Sequence, residues 1–463
     1  MRLIITICCL AACASWADTI TLKNGNRIVA DSARESNGHV EYSIGENTYV
    51  IPKALVEKIE PGGVSASAKG AAAIDLPPVH EQIAAGTDLV SRVIRNGQID
   101  TAELRKIENE GVAQRSAVAN YLAANFEEKR QNLDGAAHYL QVALVFMPGN
   151  AILLGNYAST LLQLGRTGEA LTYALQATQS NPESADAFAL LGYAYYKNDR
   201  NREAIAAWKR SLELNPNDNI KDALARVERE SRAEAGFRQQ ESDHFVLRYE
   251  GSQAPEGLRN QVLAVLEAQY SVLRNDLGVA PRNIYVSLYT GAAFFDVTQA
   301  PSWTAAMNDG KIRVPVSGMT EVSPELARVL RHELTHSFVR VTSHGHVPQW
   351  LNEGLAQLEE GRTTAPMGAR LASLYVSGNQ VPLSQLEGFF TSYSTPEAVV
   401  AYAEGLAATE YIRTQYGMND LARILARLGQ GESVETAMRN TIHVGYAQLE
   451  AEITTYLKRN YGQ

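Results

Sequence analysis

Cysteine is almost absent from this 463-residue chain, and the few cysteines lie together at one end. All three, Cys8, Cys9 and Cys13, fall within the first 13 residues. If that segment is removed, the chain has no disulfide, no thiolate metal ligand and no cysteine nucleophile. Its stability must then come from the burial of apolar surface, which a chain of this length can supply.

Long apolar runs and basic runs are also missing. No window reaches the roughly 18 consecutive apolar residues that a membrane-spanning helix needs, so no transmembrane span is predicted. The formal net charge is −9, and no lysine- or arginine-rich stretch interrupts the chain. Because neutralisation of phosphates supplies most of the affinity for nucleic acids, an acidic chain of this kind is not expected to bind them.

The N-terminus has the pattern of a signal peptide. Arg2 precedes an apolar stretch over residues 3–12, and Ser15 and Ala17 place small residues where a signal peptidase cuts. We therefore expect a signal peptide over residues 1–17 and export to the periplasm or cell envelope. An alternative stays open, because residues 10–13 also resemble a lipobox, which would leave Cys13 as a lipid anchor.

The length predicts a multidomain chain, and the pattern of residues suggests where the divisions lie. Residues 18–60 alternate short β-like runs with turns, such as Asn24-Gly25, and predict a small β-barrel of the SH3-like kind. Small residues and proline then dominate residues 61–79, which predicts a linker.

A repeat of 34 residues follows within residues 80–240. Prolines mark its period at Pro148, Pro182 and Pro216. Alanines keep the same register at Ala136, Ala170 and Ala204, where the two helices of a repeat would touch. The pattern resembles tetratricopeptide repeats over 117–150, 151–184 and 185–218. The resemblance implies an α-helical solenoid that binds protein or peptide partners and performs no chemistry itself.

Residues 241–463 begin with alternating strand and helix patterns and become mostly helical after Ser323, which predicts an α+β domain. Strands are expected over residues 244–249 and 284–289, with a helix over 256–276 between them. A further short strand over residues 312–316 contains Pro315, which cannot donate to a central ladder. We therefore expect that strand at the edge of its sheet.

The motif that carries chemistry lies on a helix opened by Ser323 and Pro324. His332 and His336 are four residues apart, so both project from one helix face and can bind one metal ion. Glu333 lies beside them, where a carboxylate can take a proton from a water that zinc has acidified. The pattern predicts His332 and His336 as zinc ligands and Glu333 as the catalytic base.

A catalytic zinc usually has three protein ligands. A third histidine in the metzincin position is excluded, because Thr342 occupies that place and Val339 replaces the glycine before it. Glu353, on a second helix opened by Pro348, resembles the glutamate that gluzincins take from a second helix downstream. His344 and His346, in the loop between the two helices, remain alternatives.

These motifs resemble the peptidase-MA-like domains of the gluzincin type, which pair H-E-L-T-H with W-L-x-E-G-x-A. The resemblance covers about residues 242–460, and it implies a thermolysin-related fold that hydrolyses peptide bonds with one zinc per chain. It also implies Glu353 as the third ligand. One position departs from the thermolysin pattern, because Gln357 stands where an acid would orient a ligating histidine. Glu359 or Glu360 could substitute.

Two further elements of the site follow from the resemblance. Tyr402, in the segment Tyr402-Ala403-Glu404-Gly405, resembles the tyrosine of gluzincin aminopeptidases that stabilises the oxyanion, although a core tyrosine would look the same. The expected edge strand offers Ile312, Arg313 and Val314 as a surface for substrate backbone by strand addition.

Two main functions remain in competition, beside a third option, a zinc hydrolase that acts on another amide such as a cell-wall peptide. The first is an exported zinc metallopeptidase that hydrolyses peptide bonds through a zinc-activated water, while the repeats recruit protein substrates or partners. The second is an envelope binding or assembly factor that acts through its repeats, with a structural or vestigial zinc site. The presence of Glu333 favours the first, because a structural site has no need of a base. Gln357 favours the second, because the acid that would orient a ligating histidine is missing at that position.

Overall fold

The computed structural model describes residues 18–23, 27–30, 32–36, 38–44, 47–60, 74–84, 87–130, 132–298, 305–388, 390 and 395–462. The expected signal peptide, Cys13, the Asn24-Gly25 turn and residues 61–73 of the expected linker lie outside these ranges. None of the described helices is long and apolar enough to cross a membrane.

Two small antiparallel sheets form the N-terminal module. Its strands are β1 (Asp18–Leu22), β2 (Arg27–Ala30), β3 (Ser32–Ser36), β4 (His39–Ile44), β5 (Asn47–Pro52) and β6 (Val56–Glu60). One sheet has the order β2-β1-β6 and the other β3-β4-β5. Ile20, Val40 and Val56 from both sheets share one buried core. The described residues thus show two packed sheets and no closed barrel, so the SH3-like barrel stays a prediction.

A helical region follows residues 74–84, which have neither helix nor strand. Its elements are α1 (Thr87–Val93), β7 (Ile94–Arg95), β8 (Gln98–Ile99), α2 (Thr101–Asn109), α3 (Ala113–Lys129), α4 (Leu133–Phe146), α5 (Ala151–Gln163), α6 (Thr167–Ser180), α7 (Ala185–Lys197), α8 (Asn201–Leu214) and α9 (Asp218–Ala233). The helices from α3 to α8 form three successive pairs, and Ala136, Ala170 and Ala204 are completely buried where the partners touch. The helical repeats expected from the 34-residue period are confirmed.

The C-terminal domain has a five-stranded sheet covered by helices. The strands are β9 (Arg238–Glu241), β10 (Phe245–Tyr249), β11 (Ile284–Tyr289), β12 (Met307–Asn308) and β13 (Ile312–Pro315). The helices are α10 (Glu256–Leu277), α11 (Gly291–Thr298), α12 (Pro324–Thr342), α13 (Gln349–Glu359), α14 (Gly368–Ser377), α15 (Thr395–Tyr416), α16 (Met418–Gly429), α17 (Val434–Ile442) and α18 (Tyr446–Tyr461). A single apolar core joins the sheet to most of these helices.

The sheet has the order β12-β13-β11-β10-β9, with β10, β11 and β13 parallel. The expectation that the strand containing Pro315 lies at the edge is wrong, because β12 pairs outside it through Met307 with Arg313 and Asn308 with Ile312. The strand β12 is too short to reach Pro315 in this register. Among the described residues, no strand therefore pairs with Pro315 on the β12 side, and its missing N–H leaves no ladder bond unmade there. At Pro315 itself, the strand still has the edge position that proline requires.

Buried ion pairs join the last repeat helix to the sheet. Glu230 on α9 accepts from Lys311 at 2.7 Å and from Arg313 at 2.9 Å. Lys311 also donates to Asp199, at the end of α7, at 2.7 Å. Because each of these groups is almost completely removed from solvent, the charges must be paired to be stable there. The repeats are thus fixed against the C-terminal domain.

Candidate metal centre

The sequence motif forms a helix whose start is well defined. The Ser323 hydroxyl accepts from the backbone N–H of Leu326 at 3.1 Å, and Pro324 occupies the first turn. The resulting helix α12 presents His332 and His336 on one face, and their ring centroids are 4.8 Å apart. The predicted helix start is confirmed, and it fixes the direction in which both imidazoles point.

Glu353 on α13 completes a cluster of three groups. Its Oε2 lies 3.6 Å from His332 Nε2, and its Oε1 lies 3.8 Å from His336 Nε2. One ligand atom from each residue lies within 4.8 Å of the others, and no other such group of histidine, cysteine or acid occurs among the described residues. The structure therefore brings together the three residues expected to bind zinc.

The donor atoms fit a divalent metal ion. His332 and Glu353 are 2% and 0% exposed, and within the described ranges His332 Nε2 and Glu353 Oε2 have no hydrogen-bond partner. Leaving such atoms buried without a partner is costly, whereas coordination of a cation satisfies them. Two imidazoles and one carboxylate are a donor set found in catalytic zinc sites, which keep a fourth position for water or substrate.

A second group of polar residues orients the three side chains. Asn352 Oδ1 lies 3.0 Å from His336 Nδ1, and the Gln349 amide donates to Glu353 Oε1 at 2.9 Å. Glu360 Oε1 lies 3.5 Å from His332 Nδ1 and forms an ion pair with Arg362 Nε at 2.6 Å. Glu359 and Glu360 could each replace the acid that is missing at position 357. Of these two, Glu360 lies beside a ligating histidine.

Gln357 and Glu359, which neighbour Glu360 on the same helix turn, have different partners. The amide of Gln357 donates to the backbone carbonyls of Glu353 and Tyr402, and thereby ties α13 to α15. The carboxylate of Glu359 accepts from Arg331 at 2.6 Å. Gln357 thus has a structural role at the position where a thermolysin-like site would carry an acid.

Opposing effects set the charge of His332. Burial alone lowers its pKa, but the carboxylates of Glu360 and Glu353 raise that pKa to about 10. Burial raises the pKa of Glu360, whereas His332 and Arg362 bring it below its usual value. Positive charge at His332 is strongly favoured by these acids, and a divalent cation can supply it in place of the proton.

Glu333 lies next to the edge of the sheet. Its carboxylate side chain is buried, and its backbone carbonyl accepts from the Asn308 amide at 2.6 Å. The same amide donates to Ser337 at 2.7 Å, so Asn308 attaches β12 to α12. The strand β12 therefore lies beside the turn of α12 that carries Glu333.

Comparison with known families finds matches for the C-terminal domain and for two of the helical repeats. Residues 270–459 match the family described as the Peptidase MA superfamily, and residues 151–184 and 185–218 each match a tetratricopeptide repeat. This chain carries a Peptidase MA superfamily domain. The expected order, with tetratricopeptide repeats (TPRs) before the peptidase-like domain, is confirmed.

Several individual proteins with known TPRs are similar to part of this chain. The small glutamine-rich tetratricopeptide repeat-containing protein 2 of Mycosarcoma maydis is 30% identical over 84 residues, which are 18% of this chain and 24% of that protein. The chain thus matches about a quarter of that relative's length. The Arabidopsis OM64 TPR domain is 22% identical, with 25% of this chain and 96% of that chain covered and a TM-score of 0.24. The TPR2AB domain of yeast Sti1 is 12% identical, with 74% and 98% covered and a TM-score of 0.23.

Three residues expected to contact substrate do not lie at the surface of the Peptidase MA domain. Ile312, Arg313 and Val314 are at most 1% exposed, and the Arg313 guanidinium is held by Glu230 and Asp309. Because β12 covers their strand, the interpretation of these residues as a substrate-binding edge is wrong. The edge position belongs to Met307 and Asn308.

The alternative histidine ligands lie outside the cluster. His344 Nδ1 is 2.9 Å from the backbone carbonyl of Gly429, on the side of the Peptidase MA domain where α12 ends. Neither His344 nor His346 belongs to the group that could hold a metal among the described residues. The positive φ of His344, 49°, turns the chain away from α12 immediately after the helix.

Tyr402 lies inside the Peptidase MA domain. Its side chain is 4% exposed, and its ring packs edge-to-face against Phe390 with centroids 5.2 Å apart. This packing is what a core tyrosine would show, so it does not distinguish the oxyanion role from the alternative stated above.

Glycine sets the position of the Glu353 helix. A Cβ at Gly354 would lie 2.4 Å from the backbone oxygen of Gly405 on α15, and a Cβ at Gly405 would lie 2.7 Å from the Trp350 oxygen. Only glycine permits so close an approach of two helix backbones. The glycine of the W-L-x-E-G-x-A motif is therefore explained by packing.

Several polar residues of the site were not singled out from the sequence. Asn352 directly precedes Glu353, and Gln349 is one helical turn before it, so helix spacing could have indicated Gln349. Asn308 follows a stretch with no recognisable motif, and only the fold brings it to Glu333. Its role could not be read from spacing.

Proposed function

We propose that the Peptidase MA domain is a gluzincin-type zinc metallopeptidase that binds one zinc ion per chain through His332, His336 and Glu353. The observation that carries this proposal is the convergence of the three ligand atoms within 4.8 Å in a buried setting. Asn352 and Glu360 lie beside the ring nitrogens that face away from Glu353, as expected for histidines that bind a metal.

The chemistry divides between the metal and the chain. Zinc, when bound, polarises the peptide carbonyl and makes a water molecule more acidic. Glu333 accepts a proton from the attacking water and transfers it to the departing amine. Tyr402 is the proposed donor to the oxyanion, on the basis of the family resemblance alone.

We propose that substrate backbone pairs with the outer edge of β12. This strand is the outermost in its sheet, and it is attached to α12 through Asn308. An extended peptide added there would run past Glu333. The proposal replaces the earlier one for Ile312, Arg313 and Val314 with Asn308, because Met307 is itself only 3% exposed.

The TPRs are proposed to recruit protein substrates or partners to the peptidase, since such repeats present a surface for extended segments. Export to the periplasm or envelope, with cleavage after Ala17 or a lipid anchor at Cys13, remains part of the proposal. So does the SH3-like nature of the N-terminal module.

Hydrolysis of a mixed peptide library, followed by mass spectrometry, tests the enzyme proposal. The wild-type chain loaded with one zinc should cleave peptides, and Glu333→Gln with equal zinc should be slower by at least about 100-fold, since general-base catalysis supplies that much. Removal of zinc by a chelator should abolish cleavage, and re-addition should restore it. Equal cleavage by wild type and Glu333→Gln would refute the role of Glu333.

A second candidate is a TPR-based envelope binding or assembly factor whose zinc is structural. The burial of the ligand cluster favours it, because structural sites are closed to solvent. Under this candidate, zinc removal would lower the thermal stability, but no peptide in the library would be cut by any form of the chain.

A further inference from the structure

An extended segment before the helical region lies against the TPRs. Residues 74–84 have no helix or strand, yet Ile74 is 8% exposed and Pro77 is buried. Ile74 is part of the apolar core of the repeats, and Leu76, Val79 and Ile83 pack against that core. Residues 74–79, expected to belong to a linker, are therefore docked.

The backbone of this segment is bound by one aspartate at the start of α7. The N–H groups of His80 and Glu81 both donate to Asp186 Oδ2, at 2.6 and 3.2 Å, and His80 Nδ1 lies 3.2 Å from Oδ1. The adjacent Ser184 hydroxyl donates to the Glu81 carboxylate at 2.5 Å. Recognition through backbone N–H groups does not require one particular side-chain sequence.

On either side of this anchor, the segment packs on the apolar core of the repeats, through Leu76 before it and Ile83 after it. The start of α7 therefore holds the backbone of the segment, and the repeat core holds its apolar side chains.

The contact has the chemistry of a bound peptide. Exposed and partly buried residues alternate along residues 78–84, as in an extended ligand with one side on a surface. Apolar side chains pack on the surface, backbone N–H groups donate to Asp186, and the Glu81 carboxylate accepts from Ser184. This is the way in which an extended peptide gains both affinity and specificity.

We propose that the TPR surface at the start of α7 binds extended, proline-containing peptides that carry an acid opposite Ser184, and that residues 74–84 hold this surface until such a partner displaces them. The inference rests on the proposed partner-binding role of the TPRs and does not require hydrolysis. A tethered segment acts at an effective concentration of the order of millimolar, so it excludes all but tight or abundant partners.

The test uses the full chain with Glu333→Gln, so that the probe is not hydrolysed. The probe is a fluorescein-labelled peptide with the sequence of residues 74–84, and its binding is followed by fluorescence anisotropy. Leu76→Ser with Val79→Ser removes apolar contacts of the resident segment, and the chain with both substitutions is called the released chain. The matched control places serine at the exposed Gln82 and Ala84.

The released chain should bind the probe at least about tenfold more tightly than the control, because the tethered competitor has been weakened. Adding Asp186→Ala to the released chain should abolish this binding, whereas Asp218→Ala, an exposed acid at the start of α9, should not. Equal binding by released and control chains, or binding that does not depend on Asp186, would overturn the proposal. Since no cleavage is measured, these outcomes are separate from failure of the peptidase proposal.

If the released chain does not fold, hydrogen exchange in the unreleased chain tests the same proposal. In the unreleased chain, the amides of His80 and Glu81 should be protected, and Asp186→Ala should increase their exchange rate by at least about tenfold. Asp218→Ala should leave that rate unchanged. Fast exchange of both amides in the unreleased chain would show that the segment does not hold the surface.

Discussion

Glu230 Oε2 on the last repeat helix lies 2.9 Å from Arg313 Nη2 on the peptidase sheet, and both side chains are fully excluded from solvent. The contact joins two domains that the sequence presents as separate. It also explains why Arg313 is unavailable to substrate.

Glu230→Gln should destabilise the chain by about 3–5 kcal/mol, because it removes the acid shared by the buried Lys311 and Arg313 and leaves each with one acid fewer. Glu203→Gln is the matched control, since Glu203 pairs with Arg200 at the surface and should cost less than about 1 kcal/mol. Urea unfolding followed by tryptophan fluorescence measures both. Equal effects of the two substitutions would show that the buried network does not fix the repeats to the domain.

Glu360→Gln should weaken zinc binding by roughly 10- to 100-fold, because it removes the acid that lies beside His332 Nδ1. Competition with a chromophoric chelator measures the affinity. Glu359→Gln is the control, because Glu359 pairs with Arg331 instead of a ligating histidine. If both variants bind zinc as tightly as wild type, Glu360 does not support the site.

Glu404 should make the stability depend on pH. Burial raises its pKa from 4.5 to about 8, and its Oε1 accepts from the Val381 N–H. The unfolded chain loses this proton near pH 4.5, whereas the folded chain keeps it until about pH 8. The contribution of Glu404 is therefore fully present below pH 4.5 and is lost as the pH rises to about 8, by roughly 5 kcal/mol.

Glu404→Gln removes that contribution, since the amide does not ionise. The variant should melt at a higher temperature than wild type at pH 8.5, and the difference should shrink or reverse at pH 5. Differential scanning calorimetry at the two pH values gives the comparison. A difference in melting temperature that is the same at both would contradict the assigned pKa.

Gly354→Ala should displace α13 from α15 and destabilise the domain by about 1–3 kcal/mol, because the added Cβ meets backbone atoms that cannot move independently. Zinc affinity should fall with it, since Glu353 is the adjacent residue. Gly257→Ala is the control, because nothing lies within 4 Å of a Cβ there and its helical site favours alanine. Thermal unfolding and zinc titration of both variants check the prediction, which fails if Gly354→Ala behaves like Gly257→Ala.

The sequence predicts well those features that depend on local spacing. The helix expected over residues 256–276 is α10 (Glu256–Leu277), and the strand expected over 284–289 is β11. His332 and His336 share a helix face because four residues make about one turn. Glu353 came from a resemblance, and the fold places it beside both histidines.

Features that depend on contacts between distant segments could not be predicted. Pro315 indicates an edge only at its own position, and two residues of β12 suffice to cover Ile312 and Arg313. Residues 74–79 look like linker because their apolar residues have no helical or strand period, yet the TPR surface orders them. Glu230 and Arg313 are 83 residues apart, and no spacing rule relates them.

The zinc content of purified residues 18–463 tests the central claim most directly, measured by inductively coupled plasma mass spectrometry beside Glu353→Ala and Glu333→Gln. We expect about one zinc per chain in wild type and in Glu333→Gln, and almost none in Glu353→Ala. No zinc in the wild-type chain after growth in adequate zinc, or full retention by Glu353→Ala, would contradict the ligand set and the peptidase function built on it.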